Sequence, residues 1–329
     1  MSNIYALIFV GLMALAMLIY VVLDGYDLGV GILLRRADDA QKDQMIAAIG
    51  PFWDANETWL VLGIGILLVA FPAAHGIILG GLYLPVAFML IGLILRGVAF
   101  DFRVKAHDDH KPLWNWTFYA GSLLSALSQG FMLGIYLLGF RYSVSSVAFA
   151  IFIALSLVAG YSLLGATWLV LKCEHALLER AVRWARGSLW LTGVGIVAVS
   201  IATPLVSSRI FDKWFALPQV LLLAPIPLLT LAVFVICERS LRRMIGGDYA
   251  RGWLPFACAV GLFVLAFAGL AYSLFPYLVV DRLTYIDAAS APESLKFMLV
   301  GIAITLPAII GYTIYSYWVF RGKARALSY

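Results

Sequence analysis

Two carboxylates interrupt the first apolar run of this 329-residue chain, Asp24 and Asp27 in Leu23-Asp24-Gly25-Tyr26-Asp27-Leu28-Gly29-Val30-Gly31. Spaced three apart, they share one face of a helix. An ionised Asp near the centre of a bilayer costs about 2.5–3.5 kcal/mol even on lenient insertion scales. Such residues must be sheltered inside a bundle, paired, or used to carry protons. Counting back from Arg35 at about 1.5 Å per residue places Asp24 roughly 15 Å below its cytoplasmic anchor. Asp27 sits one turn nearer the surface. Asp24 is the better candidate for a proton-conducting carboxylate, and Asp27 may be read equally as an interhelical hydrogen bond that fixes packing.

A second acidic group, Asp54 and Glu57, lies in Gly50-Pro51-Phe52-Trp53-Asp54-Ala55-Asn56-Glu57-Thr58-Trp59. Proline suits a first helical turn, and acids there gain from the positive end of the helix. They are therefore either ordinary first-turn acids or a proton entrance leading towards Asp24, set between the boundary tryptophans Trp53 and Trp59. The third group is Arg96-Gly97-Val98-Ala99-Phe100-Asp101-Phe102-Arg103. Arg96 and Arg103 share a face at a depth where they could pair with Asp54, Glu57 or a lipid phosphate. A structural ion pair is the role expected of them.

The elements that must position these residues are membrane helices. The chain is 63% hydrophobic and only 12% charged, with a mean hydropathy of +0.96. Soluble domains carry about 25% charged residues, so the whole chain, residues 1–329, reads as one polytopic membrane domain. About 20 apolar residues span a bilayer. Nine runs qualify, at approximately 4–34, 58–76, 78–100, 117–140, 146–171, 188–207, 216–237, 253–276 and 295–320. The first is too long for a signal-peptide core and lacks a basic leader, so it is read as a retained helix. Residues 37–50 are mildly amphipathic and suit either a short surface helix or a solvated loop. Residues 278–294 form the longest loop on the other side.

Charge fixes the expected orientation. Of the 23 basic residues, only Arg141, Arg209, Lys213, Arg282 and Lys296 fall on the side reached after even-numbered helices. The rest lie on the opposite side, which the positive-inside rule makes cytoplasmic, with the N-terminus outside and the C-terminus inside. The net charge of +5 is thus topological and does not signal nucleic acid.

Four histidines limit the redox chemistry the chain could support alone. His107, His110 and His175 fall in or beside cytoplasmic connections, and His75 lies near the outer end of the second and third runs. A bis-histidine haem or a histidine metal cluster is not expected, and His75 is left as a remote candidate for a single haem ligand. Cys173, Cys237 and Cys258 are unevenly spaced, which argues against disulfides or a cysteine metal site. A proton-coupled secondary transporter using Asp24 and Asp27 is the rival reading from another class, although it would call for a repeat of broken helices. A purely structural scaffold is a third.

The three groups, Asp24-Gly25-Tyr26-Asp27-Leu28-Gly29-Val30-Gly31, Trp53-Asp54-Ala55-Asn56-Glu57-Thr58-Trp59-Leu60-Val61 and Arg96 to Arg103, resemble in type and order subunit II of cytochrome bd-type quinol oxidases. Asn-Glu-Thr-Trp is similar to the cyanide-insensitive branch. The motifs cover residues 1–110; beyond them the resemblance rests on length, helix count and topology. It implies an all-α membrane protein of two four-helix bundles plus one peripheral helix, in the bacterial cytoplasmic (inner) membrane. It also implies a haem-bearing subunit I as partner, carrying haems b558, b595 and d, with quinol and oxygen as substrates of the complex. A structural quinone and a small single-helix accessory subunit occur in some members. The family's cytoplasmic proton path would carry over to the Asp24 and Asp54 positions.

Overall fold

A computed structural model describes residues 2–107, 109–206 and 208–324. Nine of its helices are long and apolar enough to cross a membrane. They are α1 (Ser2–Leu33), α3 (Trp53–Ala70), α5 (Tyr83–Lys105), α6 (Lys111–Leu137), α7 (Val144–Lys172), α8 (His175–Val206), α11 (Pro225–Ile245, continuing α10), α12 (Leu254–Leu274) and α13 (Pro292–Val319). Between them run α2 (Asp39–Ile49), α4 (Pro72–Gly81), α9 (Ser208–Phe215) and α10 (Gln219–Leu223). Local chemistry sets several starts. Asp38 accepts the Gln41 amide at 3.0 Å to cap α2, and Ser143 accepts the Ser146 amide at 3.2 Å to cap α7. Prolines occupy the first turns of α4, α6, α11, α12 and α13, where a missing N–H is harmless.

Helices α1, α3, α5 and α6 form one bundle and α7, α8, α11 and α12 a second; α13 packs loosely outside α1 and α3. The bundles join where α1 and α6 meet α7. Glycine makes the central crossing possible: a Cβ on Gly29 would fall on the Tyr161 carbonyl, and one on Gly165 on the Gly29 backbone. Between α5 and α6, a Cβ on Gly92 would lie 2.8 Å from the Gly121 carbonyl oxygen. Small residues are what let membrane helices approach to backbone contact.

Residues 37–50 resolve as the helix α2, whose Met45, Ile46, Ala48 and Ile49 are almost fully buried. It lies under the bundles rather than on their surface, and its Ala48 carbonyl accepts the Trp168 indole at 3.0 Å. The second membrane helix begins at Trp53, five residues before the apolar run, and the Asn56 of its first turn is buried against α1. It stops at Ala70, where Pro72 starts the separate helix α4, so the third span begins at Tyr83 instead of 78. The long outer loop is folded: strands β1 (Tyr277–Val279) and β2 (Leu283–Thr284) pair antiparallel. Ser290 donates its amide to the Ala70 carbonyl at 2.9 Å and its hydroxyl to Val69 at 2.7 Å. The free carbonyls at the end of α3 are thereby satisfied.

Candidate functional site

The polar residues of α1 meet partners from α3 and α5 in the dry interior of the first bundle. Asp24 is fully buried, with Asp27 at 1%, Asn56 at 0% and Arg96 at 2% exposure. Arg96 reaches across from α5. Its Nη1 donates to Asp24 Oδ1 at 2.6 Å, while Nη2 donates to Glu57 Oε1 on α3. The planar fork of a guanidinium is suited to holding two carboxylates at once. Glu57 keeps about a third of its side chain exposed (32%), so this ion-pair chain runs from a partly open acid to a closed one.

Asp27 belongs to a neighbouring set. Asn56 Nδ2 donates to Asp27 Oδ2 and to the Tyr26 hydroxyl, each at 2.8 Å. Its Oδ1 accepts from the Tyr317 hydroxyl of α13 at 3.1 Å, and the Tyr26 and Tyr317 hydroxyls lie 2.6 Å apart. One turn beyond Asp24, Gln129 of α6 donates to Tyr20 at 2.8 Å and accepts from Tyr161 of α7 at 2.6 Å. Five transmembrane helices besides α1, namely α3, α5, α6, α7 and α13, thus contribute side chains to one polar layer.

Charge balance gives this layer its chemistry. Asp24, Asp27 and Glu57 are three carboxyls in mutual electrostatic contact with a single guanidinium. The cluster is neutral only when two of the three carboxyls hold protons, and uncompensated charge is strongly disfavoured in such surroundings. Asp24 Oδ2 and Asp27 Oδ1 make no hydrogen bond among the described residues, which leaves an oxygen on each acid open to a proton or a water. A narrow crevice lined by Asp27, Ile49, Trp53, Arg96, Phe100 and Phe118 reaches this layer from the α2–α3 junction; it is too tight to admit water in this conformation. Trp53 packs against Phe100 beside it, with ring centroids 5.1 Å apart and the rings tilted by 41°.

The residues singled out in the sequence do not all converge. Asp24, Glu57 and Arg96 are joined directly, and Asp27 is one hydrogen-bond set away. Asp54 lies exposed at the start of α3, its carboxyl free of hydrogen bonds and ion pairs among the described residues, one turn outside Glu57. Arg103 does not pair with Asp54 or Glu57. It binds Asp43 at 2.8 Å and Asn115 at 2.5 Å, because it lies two turns past Arg96, level with α2. Trp59 is buried against Tyr20 and Ala16. His75 is half-buried on α4, at the opposite end of the bundle from His107, His110 and His175. Tyr26, Tyr317, Tyr20 and Gln129 escaped the sequence reading. Gln129 carried a signal, since an amide in the middle of an apolar run seeks a partner helix.

Comparison with known proteins follows the same outline. Residues 5–320 match the model of a family described as cytochrome bd terminal oxidase subunit II. The chain is similar to cytochrome bd ubiquinol oxidase subunit 2 of Bacillus subtilis, 31% identical over 98% of this chain and 97% of that one. It is also similar to cytochrome bd-I ubiquinol oxidase subunit 2 of Escherichia coli K12, 26% identical over 92% and 91%. Its fold matches a chain in the structure of bd oxidase from Geobacillus thermodenitrificans, with a TM-score of 0.76 and 18% identity over 96% of this chain and 98% of that one.

Proposed function

Because this chain belongs to the cytochrome bd terminal oxidase subunit II family, and is therefore a multi-pass subunit of a bacterial quinol oxidase complex, we propose that it stabilises a haem-bearing subunit I and conducts cytoplasmic protons towards oxygen reduction. The observation that carries this reading is the buried layer in which one guanidinium serves three carboxyls. The haems of subunit I would supply electron transfer and oxygen binding. Histidines at opposite ends of the bundle suit a chain that leaves haem ligation to its partner. No assignment of residues to a quinone follows from these contacts.

Protons would collect at Asp54 and Asp101, two exposed acids near the mouth. Glu57 lies one turn deeper and receives a proton there. Protonation weakens its hold on Arg96, which then pairs with Asp24 alone. Arg96 itself cannot relay a proton, since a guanidinium stays charged; the proton must pass around it, through a water admitted when Trp53 moves. Asp24, with one oxygen unpartnered, is the next acceptor. Family membership favours this over a free-standing proton-coupled transporter.

The test is the complex reconstituted in liposomes with a trapped pH dye. Glu57→Gln should slow both proton uptake and oxygen consumption by on the order of tenfold, a barrier change of about 1.4 kcal/mol, at unchanged haem content. Wild-type uptake in that variant would refute the path.

A further inference from the structure

Away from the acidic layer, the α11–α12 connection builds a pocket that the oxidase reading leaves unused. It has a volume of about 400 Å³ and is lined by Arg239, Arg243, Arg251, Asp248 and the apolar side chains of Ile236 and Leu254. That volume falls in the usual range for small-molecule sites, about 300–1,000 Å³. A tight helix end shapes it. Gly247 sits at φ +93°, and the amides of Gly247 and Asp248 donate to Met244 and Arg243 at 3.0 and 3.1 Å. This closure suits glycine and turns the chain back so that Arg251 faces the two arginines of α11.

The three guanidiniums differ from their neighbours. Arg186 and Arg242 both pair with Glu238, at 2.9 and 2.6 Å. Arg239, Arg243 and Arg251 make no side-chain hydrogen bond or ion pair among the described residues. The one acid facing them, Asp248, already caps the Ala250 amide at 3.2 Å. A purely topological excess of basic residues would need no shared concavity. The opposite wall is continuous with the membrane surface: Ile236 is 46% exposed and Trp253, beside Leu254, is 58% exposed. Converging guanidiniums recognise phosphate oxygens, and an apolar wall at bilayer depth suits acyl chains.

We propose that this pocket binds the phosphate of an anionic glycerophospholipid, with the acyl chains lying along Ile236 and Leu254. Basic pockets between membrane helices on the cytoplasmic side take such headgroups. A free phosphate would satisfy the arginines but leave the apolar wall without a role.

The experiment uses the purified complex in mild detergent, with micelles containing phosphatidylglycerol, micelles containing phosphatidylcholine, or inorganic phosphate alone. Retained lipid is measured by native mass spectrometry. Wild type should retain phosphatidylglycerol in preference to phosphatidylcholine. The triple variant R239Q/R243Q/R251Q should bind it roughly 100-fold more weakly, about fivefold per lost charge. Asp248→Asn should tighten binding, which keeps the test open if the triple variant does not assemble. Equal retention by wild type and triple variant, or no gain with Asp248→Asn, would overturn the site. So would equal retention of phosphatidylcholine. Protection by inorganic phosphate as strong as that by phosphatidylglycerol would overturn the lipid assignment.

Discussion

Arg96 is the residue on which the buried layer depends, because its two terminal nitrogens hold acids from two different helices. Replacing it by Met would leave Asp24 without its cation. Breaking a buried pair from one side costs about 3–5 kcal/mol, so thermal unfolding of the complex should show a large loss for Arg96→Met. Arg96→Lys should lose less, since an ammonium keeps the charge but not the fork. Asp54 should behave differently from Glu57. It is exposed, so Asp54→Asn should lower the oxygen-consumption rate by about threefold or less, below the roughly tenfold or more that a whole charged cleft contributes by steering. Three of the joined residues, Asp24, Glu57 and Arg96, were legible because intramembrane charges are rare. An Arg96–Glu57 pair was among the expected pairings; Asp24 as the second acid was not, since Asp24 and Arg96 are 72 positions apart and a sequence shows that a charge must be sheltered without showing by what. Tyr317 gave no signal in the sequence, because only the packing of α13 brings its hydroxyl to Asn56.

At the scale of elements, apolar runs located nine helices but misjudged where they begin. The apolar run starts only at 58, whereas Pro51 and the acids after it point to an earlier helix start, and α3 begins at Trp53; the turn outside the apolar run holds Asn56 and Glu57. The loop of residues 278–294 hid a hairpin because its strands are too short to show a period. Gly165, which meets the Gly29 backbone across the crossing, gave no signal in the sequence. Gly29→Ala should push α1 off α7, because its Cβ would fall on the Tyr161 carbonyl. Overpacking of this kind costs about 1–3 kcal/mol, read as reduced thermal stability and a lower yield of complex on native gels. Gly11→Ala, with open space around its Cβ position, should stay within about 0.5 kcal/mol of wild type.

For the whole molecule, the source of the protons depends on which membrane face holds the mouth of the crevice. The skew of basic residues predicts that it faces the cytoplasm, and cysteine labelling checks that. Cys237 and Cys258 are buried thiols, and burial pushes the Cys173 thiol up to about 12, so native cysteines should give little background at neutral pH. Arg282→Cys should react with an impermeant maleimide on intact cells, and His107→Cys only after permeabilisation; the reverse pattern would invert the topology. With that settled, the central claim is that the buried acid on α1 carries protons to oxygen reduction. Quinol-driven oxygen consumption by the intact complex carrying Asp24→Asn, expressed per haem d, tests it most directly. The account predicts a fall of about tenfold or more with haem content unchanged; a wild-type rate per haem would contradict it.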